Sequence, residues 1–400
     1  MILQLDMIQT IALAVVVLFL GQTLRKRVSL LEKYCIPAPV IGGLIFAVLA
    51  LVLKQTGMMS FEMDTTLQKV LMTAFFTTVG FTASFKLLRK GGVQVFVFLG
   101  LAVVLVALQN ILGVSLAKVF NLNPLIGLAT GSVPMTGGHG TSGAFAPLFE
   151  KAGANGATTV AMAAATFGLI MGSMIGGPIG KRLIEKHNLT LNKTQMSTGS
   201  TEAAVTLEDS EKQLIPNNFA VAASQIILAM GLGTVISLLL QNTGLTFPPY
   251  IGAMFAAAIL RNISDSTKSY KVCMDEIDIL GNISLSLFLS MALMGLKLWE
   301  LADLAVPMLV MLVAQTTLMG LFAYYITFNL MGKDYEAAVI AGGHCGFGMG
   351  ATPNAIANME TISGKFGPAP AAFFILPLVG SLFIDFFNAG IITTFMNFLK

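Results

Sequence analysis

The sequence is dominated by long apolar runs, each about as long as a helix that crosses a membrane. Such a helix takes about 20 mostly apolar residues, and ten runs of this kind follow one another along the 400 residues. They lie near 7–24, 36–53, 67–85, 93–116, 157–180, 219–240, 247–261, 278–297, 304–330 and 369–396. The pattern predicts an all-α integral membrane protein with ten transmembrane helices, whose surroundings are the lipid bilayer.

Charge supports this prediction and excludes other classes of protein. Charged residues make up 11% of the chain, whereas soluble domains carry about 25%. That is too little to cover the surface of one large soluble enzyme, and a net charge of +3 provides no basic field for nucleic acid. We therefore expect no nucleic-acid partner.

Basic residues indicate how the predicted helices are oriented. Cytoplasmic loops of membrane proteins carry an excess of Lys and Arg. With the N-terminus outside, 17 of the 23 basic residues fall in inner loops and six fall outside. We predict that both termini lie outside and that the central polar segment lies in the cytoplasm.

That polar segment divides the chain into two halves of five predicted helices each. Residues 188–217 are rich in Ser, Thr and acidic residues and lack hydrophobic periodicity, which is typical of a flexible linker. Because five is odd, the second half enters the membrane in the opposite orientation. We predict an N-terminal five-helix repeat at 1–187 and an inverted C-terminal repeat at 218–400.

Short motifs recur between the halves at nearly constant spacing. Pro39–Gly42 and Pro249–Gly252 open the second and seventh runs, 210 residues apart. The Gly-Gly-His sequence of Gly137–His139 recurs 205 residues later at Gly342–His344. Inverted repeats are characteristic of secondary transporters.

Two Gly-rich segments interrupt the apolar pattern at corresponding positions, near 124–156 and 334–368. We predict that each forms a re-entrant hairpin, since irregular backbone in a membrane must be buried in protein or line a wet cavity. The helix that resumes after each turn offers its N-terminus to an anion, and nearby carbonyl and hydroxyl oxygens suit Na⁺. The segments therefore predict the binding site; the alternative is two glycine bends that only pack.

Asp385 is the only acidic residue deep in an apolar run. Acids inside membranes are costly and usually functional. If ionised, this carboxylate would coordinate Na⁺ or pair with a substrate ammonium, and Asn388 near the same helical face at i+3 would assist it. The alternative is a structural hydrogen-bonded carboxyl.

The two Gly-Gly-His histidines have two interpretations. His139 and His344 either contact the substrate or a proton, or brace each turn by a hydrogen bond, and we favour the brace.

Two stripes of polar side chains lie on predicted helices, and their role stays open. Such residues line binding sites, but they also form hydrogen bonds between or within membrane helices. The stripes are Thr73, Thr77, Thr78, Thr82 and Ser84 in the third run, and Asn282, Ser284, Ser286 and Ser290 in the eighth.

Glycines repeat every four residues in the fifth run, at Gly168, Gly172, Gly176 and Gly180. This spacing predicts close helix packing.

The candidate site residues fall into two sets. Those for the substrate are Ser132, Thr136, Gly137, Gly138, His139, Gly140, Thr141, Gly343, His344, Gly346, Gly348, Thr352, Asn354 and Asp385. Those for Na⁺ are Asp385, Asn388, Thr136, Ser284, Ser286 and Asn358.

At these motifs the chain resembles the bacterial sodium/glutamate symporters of the glutamate:Na⁺ symporter type. The resemblance extends over essentially the whole chain and is most specific in the second half. The matching segments are Gly137–Thr141, Asn282–Leu289, Met291–Trp299, Ala341–Gly348 and Ala351–Pro353.

The resemblance implies a secondary transporter of the bacterial inner membrane that imports L-glutamate with Na⁺. It further implies two hairpins that meet near the midplane, a homodimer and an elevator-like motion, with Na⁺ as the co-transported ion and no resident cofactor. Both termini would then be periplasmic.

Three other functions remain open on the residues alone. A cation-coupled transporter of another small dicarboxylate or amino acid is the nearest alternative, because selectivity depends on contacts that the sequence does not reveal. Gly-rich loops also occur in ion channels. An intramembrane enzyme is the weakest, since no H-E-x-x-H motif and no nucleophile–base pair is evident.

Overall fold

The computed structural model describes residues 2–90, 92–189, 216–242, 247–299 and 304–399. Most of the predicted linker at 188–217 lies outside the described residues. Apart from two short strands, the regular structure of these ranges is helical.

Within the described residues, nine helices form the first half. They are α1 (Met7–Arg27), α2 (Ser29–Lys33), α3 (Ala38–Gln55), α4 (Thr66–Thr82), α5 (Phe85–Lys90), α6 (Gly92–Val119), α7 (Pro124–Leu128), α8 (Gly138–Lys151) and α9 (Ala157–His187).

The described part of the second half has nine more, with a π-helical turn at Phe322–Thr327 between α13 and α14. They are α10 (Pro216–Gln241), α11 (Pro249–Thr267), α12 (Met274–Met294), α13 (Ala305–Leu321), α14 (Phe328–Leu330), α15 (Tyr335–Met349), α16 (Thr352–Phe366), α17 (Pro370–Leu382) and α18 (Ile384–Leu399).

The structure is predominantly helical, consistent with an integral membrane protein, and supports part of the span count. Among the described residues, seven helices are long and apolar enough to cross a membrane, or eight if α17 and α18 form one bent span. The third and seventh predicted spans form α4 and α11, of 17 and 19 residues. The full count of ten stays a prediction.

The last apolar run differs from a simple spanning helix. We expected one helix over 369–396, but α17 ends at Leu382, α18 begins at Ile384, and the two axes differ by 41°. The break puts Asp385 in the first turn of α18. An acid is favoured there, because the N-terminus of a helix carries partial positive charge.

A two-stranded parallel sheet was not expected from the sequence. β1 (Ile2–Leu5) pairs with β2 (Ser60–Met63), with Ile2 opposite Ser60. Each strand has only four residues, too few for a periodic signal. The sheet ties the N-terminus to the connection between α3 and α4.

The helices pack in two groups, and each group draws on both halves. One contains α1, α3, α4, α10, α11 and α12, which correspond to the first three runs of each half. The other contains α6 to α9, α13 and α15 to α18, which carry the Gly-rich segments. The two halves are therefore interleaved, and the second group encloses the largest apolar core.

Candidate functional site

Both Gly-rich segments are helices broken near their middle. In the first, turns connect α7 to α8, and Gly138 at the start of α8 has φ +60°. In the second, Gly350 (φ −151°, ψ −99°) and Ala351 separate α15 from α16. A Cβ atom built on Gly138 would lie 3.3 Å from the Gly350 carbonyl oxygen. The two breaks therefore meet in space.

The glycine stripe of α9 brings the second broken segment into place. A Cβ atom at Gly168 would lie 2.1 Å from the Met349 carbonyl oxygen, and one at Gly176 would lie 2.4 Å from that of Gly342. Only glycine permits this approach of α9 to α15. The packing role that the four-residue spacing predicted is confirmed.

A cavity of about 430 Å³ lies where the breaks meet. Its walls include both breaks, the middle of α4 and α12, and the first turn of α18. Nine predicted residues line it: Thr136, Gly137, Gly138, His139, Gly140, Thr141, Thr352, Asn354 and Asp385. The structure thus brings together the parts of the sequence that the interruptions singled out.

Much of the rest of the wall was missed by the sequence analysis. Phe75, Phe76 and Val79 of α4 line the cavity, and so do Leu285 and Leu289 of α12. Apolar side chains in an apolar run carry no distinguishing signal, so only the fold reveals them. Cys35, Pro37, Leu169, Phe347, Pro353 and Gly380 also contribute.

The threonine stripe of α4 does not form the cavity wall. The hydroxyl groups of Thr73, Thr77 and Thr78 donate to carbonyl oxygens of their own helix at 2.7–2.9 Å. From the other stripe, Asn282 reaches the cavity, whereas Ser284 and Ser290 are buried and neither lines it.

Asp385 lines the cavity, but Asn388 one turn further along α18 does not. Asn388 is fully buried and accepts a hydrogen bond of 2.7 Å from the hydroxyl of Ser132. The backbone N–H of Ser132 donates a hydrogen bond of 2.9 Å to Asn110 Oδ1. Two of the predicted site residues therefore join α18 to the first broken segment.

Gln109 connects the two breaks directly and was missed by the sequence analysis. Its Nε2 donates to the Gly348 carbonyl oxygen at 2.7 Å, and its Oε1 accepts from Thr136 Oγ1 at 2.8 Å. Gln315 Nε2 donates to the Gln109 carbonyl oxygen at 2.8 Å. The two glutamines lie 206 residues apart in sequence, within the offsets of the other repeated motifs, and this was the signal that could have found them.

The two Gly-Gly-His histidines have different surroundings. His139 faces the cavity, and its Nε2 lies 3.0 Å from Thr166 Oγ1. His344 is fully buried, with Nδ1 2.9 Å from Thr327 Oγ1 and its ring stacked on Phe347. His344 thus connects α15 to the π-helical turn, which is the geometry expected of the brace that we favoured.

The other predicted residues of the second segment serve close packing. Asn358 Nδ2 donates to the carbonyl oxygens of Gly172 and Gly342, at 2.9 and 3.2 Å. Gly346 lets α15 approach the backbone of Asn354, where a Cβ atom would lie 2.6 Å away. Gly343 packs against the side chains of Leu376 and Met359. These residues shape the segment from outside the cavity, as Gly348 does through its carbonyl group.

The donor set of the cavity suits small charged solutes. Among the described residues, no Lys or Arg lines it, and Asp385 is its one acidic residue. Asn354 Oδ1 is buried without a hydrogen-bond partner in the described part of the chain. Elsewhere in those ranges no group of three or more His, Cys, Asp or Glu could hold a metal ion. The cavity can therefore bind a charged solute through oxygen atoms and through the N-termini of helices.

Comparison with known proteins shows the family to which the chain belongs. The family described as sodium/glutamate symporter matches residues 3–368. The sodium/glutamate symporters of Escherichia coli (strain K12) and Shigella flexneri are each 44% identical over 393 residues, 98% of either chain. That of Haemophilus influenzae is 40% identical over 385 residues, 96% of this chain and 95% of its own. The chain therefore belongs to the sodium/glutamate symporter family.

Proposed function

We propose that this chain carries L-glutamate into the cell together with Na⁺ and chemically alters neither. The observation that supports this most directly is the cavity where both broken segments meet Asp385, in a member of a symporter family. The near full-length relatives named sodium/glutamate symporter support the same substrate and ion.

The charges of glutamate match the groups around this cavity. Two helices, α8 and α16, begin at its wall. Their N-termini attract carboxylates, of which glutamate has two. Asp385 then pairs with the ammonium group or with Na⁺.

Na⁺ has a physical role in this scheme. Glutamate carries one net negative charge, Asp385 carries another when ionised, and no Lys or Arg among the described residues lines the cavity. A bound cation offsets the repulsion between them. Thr136, Thr141, Thr352 and Asn354 offer the oxygen ligands that a hard cation prefers. Coupling then follows, because each solute stabilises the binding of the other.

We further propose ten spans in two inverted repeats, each with a re-entrant hairpin, that work by alternating access in an elevator-like motion. The interleaved helix groups support this: the group with both broken segments would move against the group built from α1, α3, α4, α10, α11 and α12. A homodimer in the bacterial inner membrane, with periplasmic termini and a cytoplasmic linker, completes the proposal.

Uptake of labelled glutamate into proteoliposomes tests the function. A Na⁺ gradient should drive saturable accumulation, and replacement of Na⁺ by choline should abolish it. Unlabelled aspartate and other small dicarboxylates, added as competitors, define the selectivity. Accumulation that does not depend on Na⁺ would contradict the proposal. If another solute inhibited the uptake of labelled glutamate more strongly than unlabelled glutamate does, that solute would be the preferred substrate instead.

A further inference from the structure

A second cavity, of about 500 Å³, lies next to the one that holds the candidate site. We call it the outer cavity. Its walls include β2, the starts of α1, α4 and α9, and the ends of α8 and α12. By the predicted orientation these are the periplasmic ends of their helices.

The outer cavity is basic. Lys69, Lys151 and Lys297 line it, with Glu150 as the one acidic residue among its described lining residues. Glu150 Oε1 accepts a hydrogen bond of 3.0 Å from the backbone N–H of Thr158. Half of the six basic residues that the sequence analysis assigns to the outside therefore surround one cavity.

Helix electrostatics account for only part of this cluster. Lys151 lies in the last turn of α8, where a cation complements the helix dipole. Lys69 lies near the start of α4, where the dipole opposes a cation. The exposed position of Lys69 leaves its ammonium group accessible to a solute in the cavity.

The outer cavity lies about one helical turn from the candidate site on three helices. The outer and inner residues are Met72 and Phe75 on α4, Gly143 and Gly140 on α8, and Ala292 and Leu289 on α12. The ring of Phe288 packs against Gly143, where a Cβ atom would lie 2.6 Å from Phe288 Cζ. An apolar ring thus contacts α8 where this helix reaches the outer cavity.

We propose that the outer cavity collects the anionic amino acid before it passes to the inner site, with Lys69, Lys151 and Lys297 attracting its carboxylates. The inference rests on the proposed function and orientation. A cavity whose lining has a net charge raises the local concentration of an oppositely charged solute. These lysines then affect capture of the substrate and leave the translocation step unchanged.

The test is glutamate uptake by cells that carry each Lys→Gln variant and the triple variant. At an ionic strength of about 0.01 M and fixed Na⁺, KM should rise about twofold for each lysine and about eightfold for the triple variant, with kcat unchanged. The difference should shrink at about 0.15 M, where the screening length falls from about 30 Å to about 8 Å. Lys118→Gln is the matched control, since Lys118 lines neither cavity, and Lys→Arg variants should keep the wild-type KM.

A triple variant with the wild-type KM at low ionic strength would overturn the inference. So would a fall in kcat at constant KM, or a loss that Lys→Arg does not prevent, because either indicates a structural role. Failure of the proposed function is separate, since it would appear in the unmodified protein as uptake without Na⁺ dependence.

Discussion

The side chain of Gln109 donates a hydrogen bond of 2.7 Å to the carbonyl oxygen of Gly348. The bond joins α6 of the first half to the last turn of α15 in the second half. The same side chain accepts from Thr136 in the first break. One buried amide therefore holds both breaks in register beside the cavity.

Replacement of Gln109 by Leu should lower the rate of glutamate uptake more strongly than it lowers the thermal stability of the protein. The change leaves the Gly348 carbonyl and the Thr136 hydroxyl without this partner, which costs about 1–3 kcal/mol for each buried group. Glutamate uptake and thermal stability measure the two effects. Thr327→Val is the control, because it removes a buried hydrogen bond that lies outside the cavity. Wild-type uptake in Gln109→Leu would show that the bond does not position the site.

Asp385→Asn should sharply weaken Na⁺-coupled uptake. The amide keeps the shape of the side chain but removes the charge that balances the cation. Uptake at increasing Na⁺ concentration is the measurement. Glu360→Gln, an exposed acid on α16, should retain the wild-type Na⁺ dependence. If Asp385→Asn also retained it, Asp385 would have no part in coupling.

The two histidines should respond differently to the same substitution. His139→Asn should change KM for glutamate with a small effect on stability, because His139 faces the cavity. His344→Asn should lower stability, since it removes a ring packed among Phe98, Phe322 and Phe347, and leave KM near wild type. Uptake kinetics and thermal melting of both variants check this pair. The reverse pattern would exchange their roles.

Gly168→Ala should destabilise the protein by roughly 1–3 kcal/mol, because the added methyl group forces α9 away from Met349. Gly100→Ala meets open space within 4 Å and should be neutral or stabilising, since alanine favours helix by up to about 1 kcal/mol over glycine. Thermal melting in detergent compares the two. Equal melting temperatures would mean that the contact of α9 with α15 is not tight.

Alkylation of Cys35 should be slow at pH 7 and faster as the pH rises toward 9. Burial raises the pKa of this thiol, and the thiolate is the reactive form. Because Cys35 lines the cavity, glutamate with Na⁺ should slow the reaction. Mass spectrometry after iodoacetamide treatment measures this, with the buried Cys273 and Cys345 as internal controls. Fast labelling at pH 7 would contradict the burial of the Cys35 thiol. Labelling that glutamate and Na⁺ do not slow would contradict its position in the cavity wall.

The sequence was most informative where glycine or charge interrupted an apolar run. Gly137–Thr141, Thr352 and Asp385 stand out in such runs, and they line one cavity. It was least informative for residues of ordinary type: Gln109, Phe75 and Phe288 acquire their positions only because helices from different halves pack together.

The sequence by itself determined that the chain is a helical membrane protein of the sodium/glutamate symporter family, because length, apolar pattern and local motifs are properties of consecutive residues. Only the tertiary structure decided which predicted residues face the cavity and which brace it. His139 and His344 have the same local motif, yet one faces the cavity and the other is enclosed by aromatic rings. That difference arises from contacts between residues far apart in the chain, which no local pattern encodes.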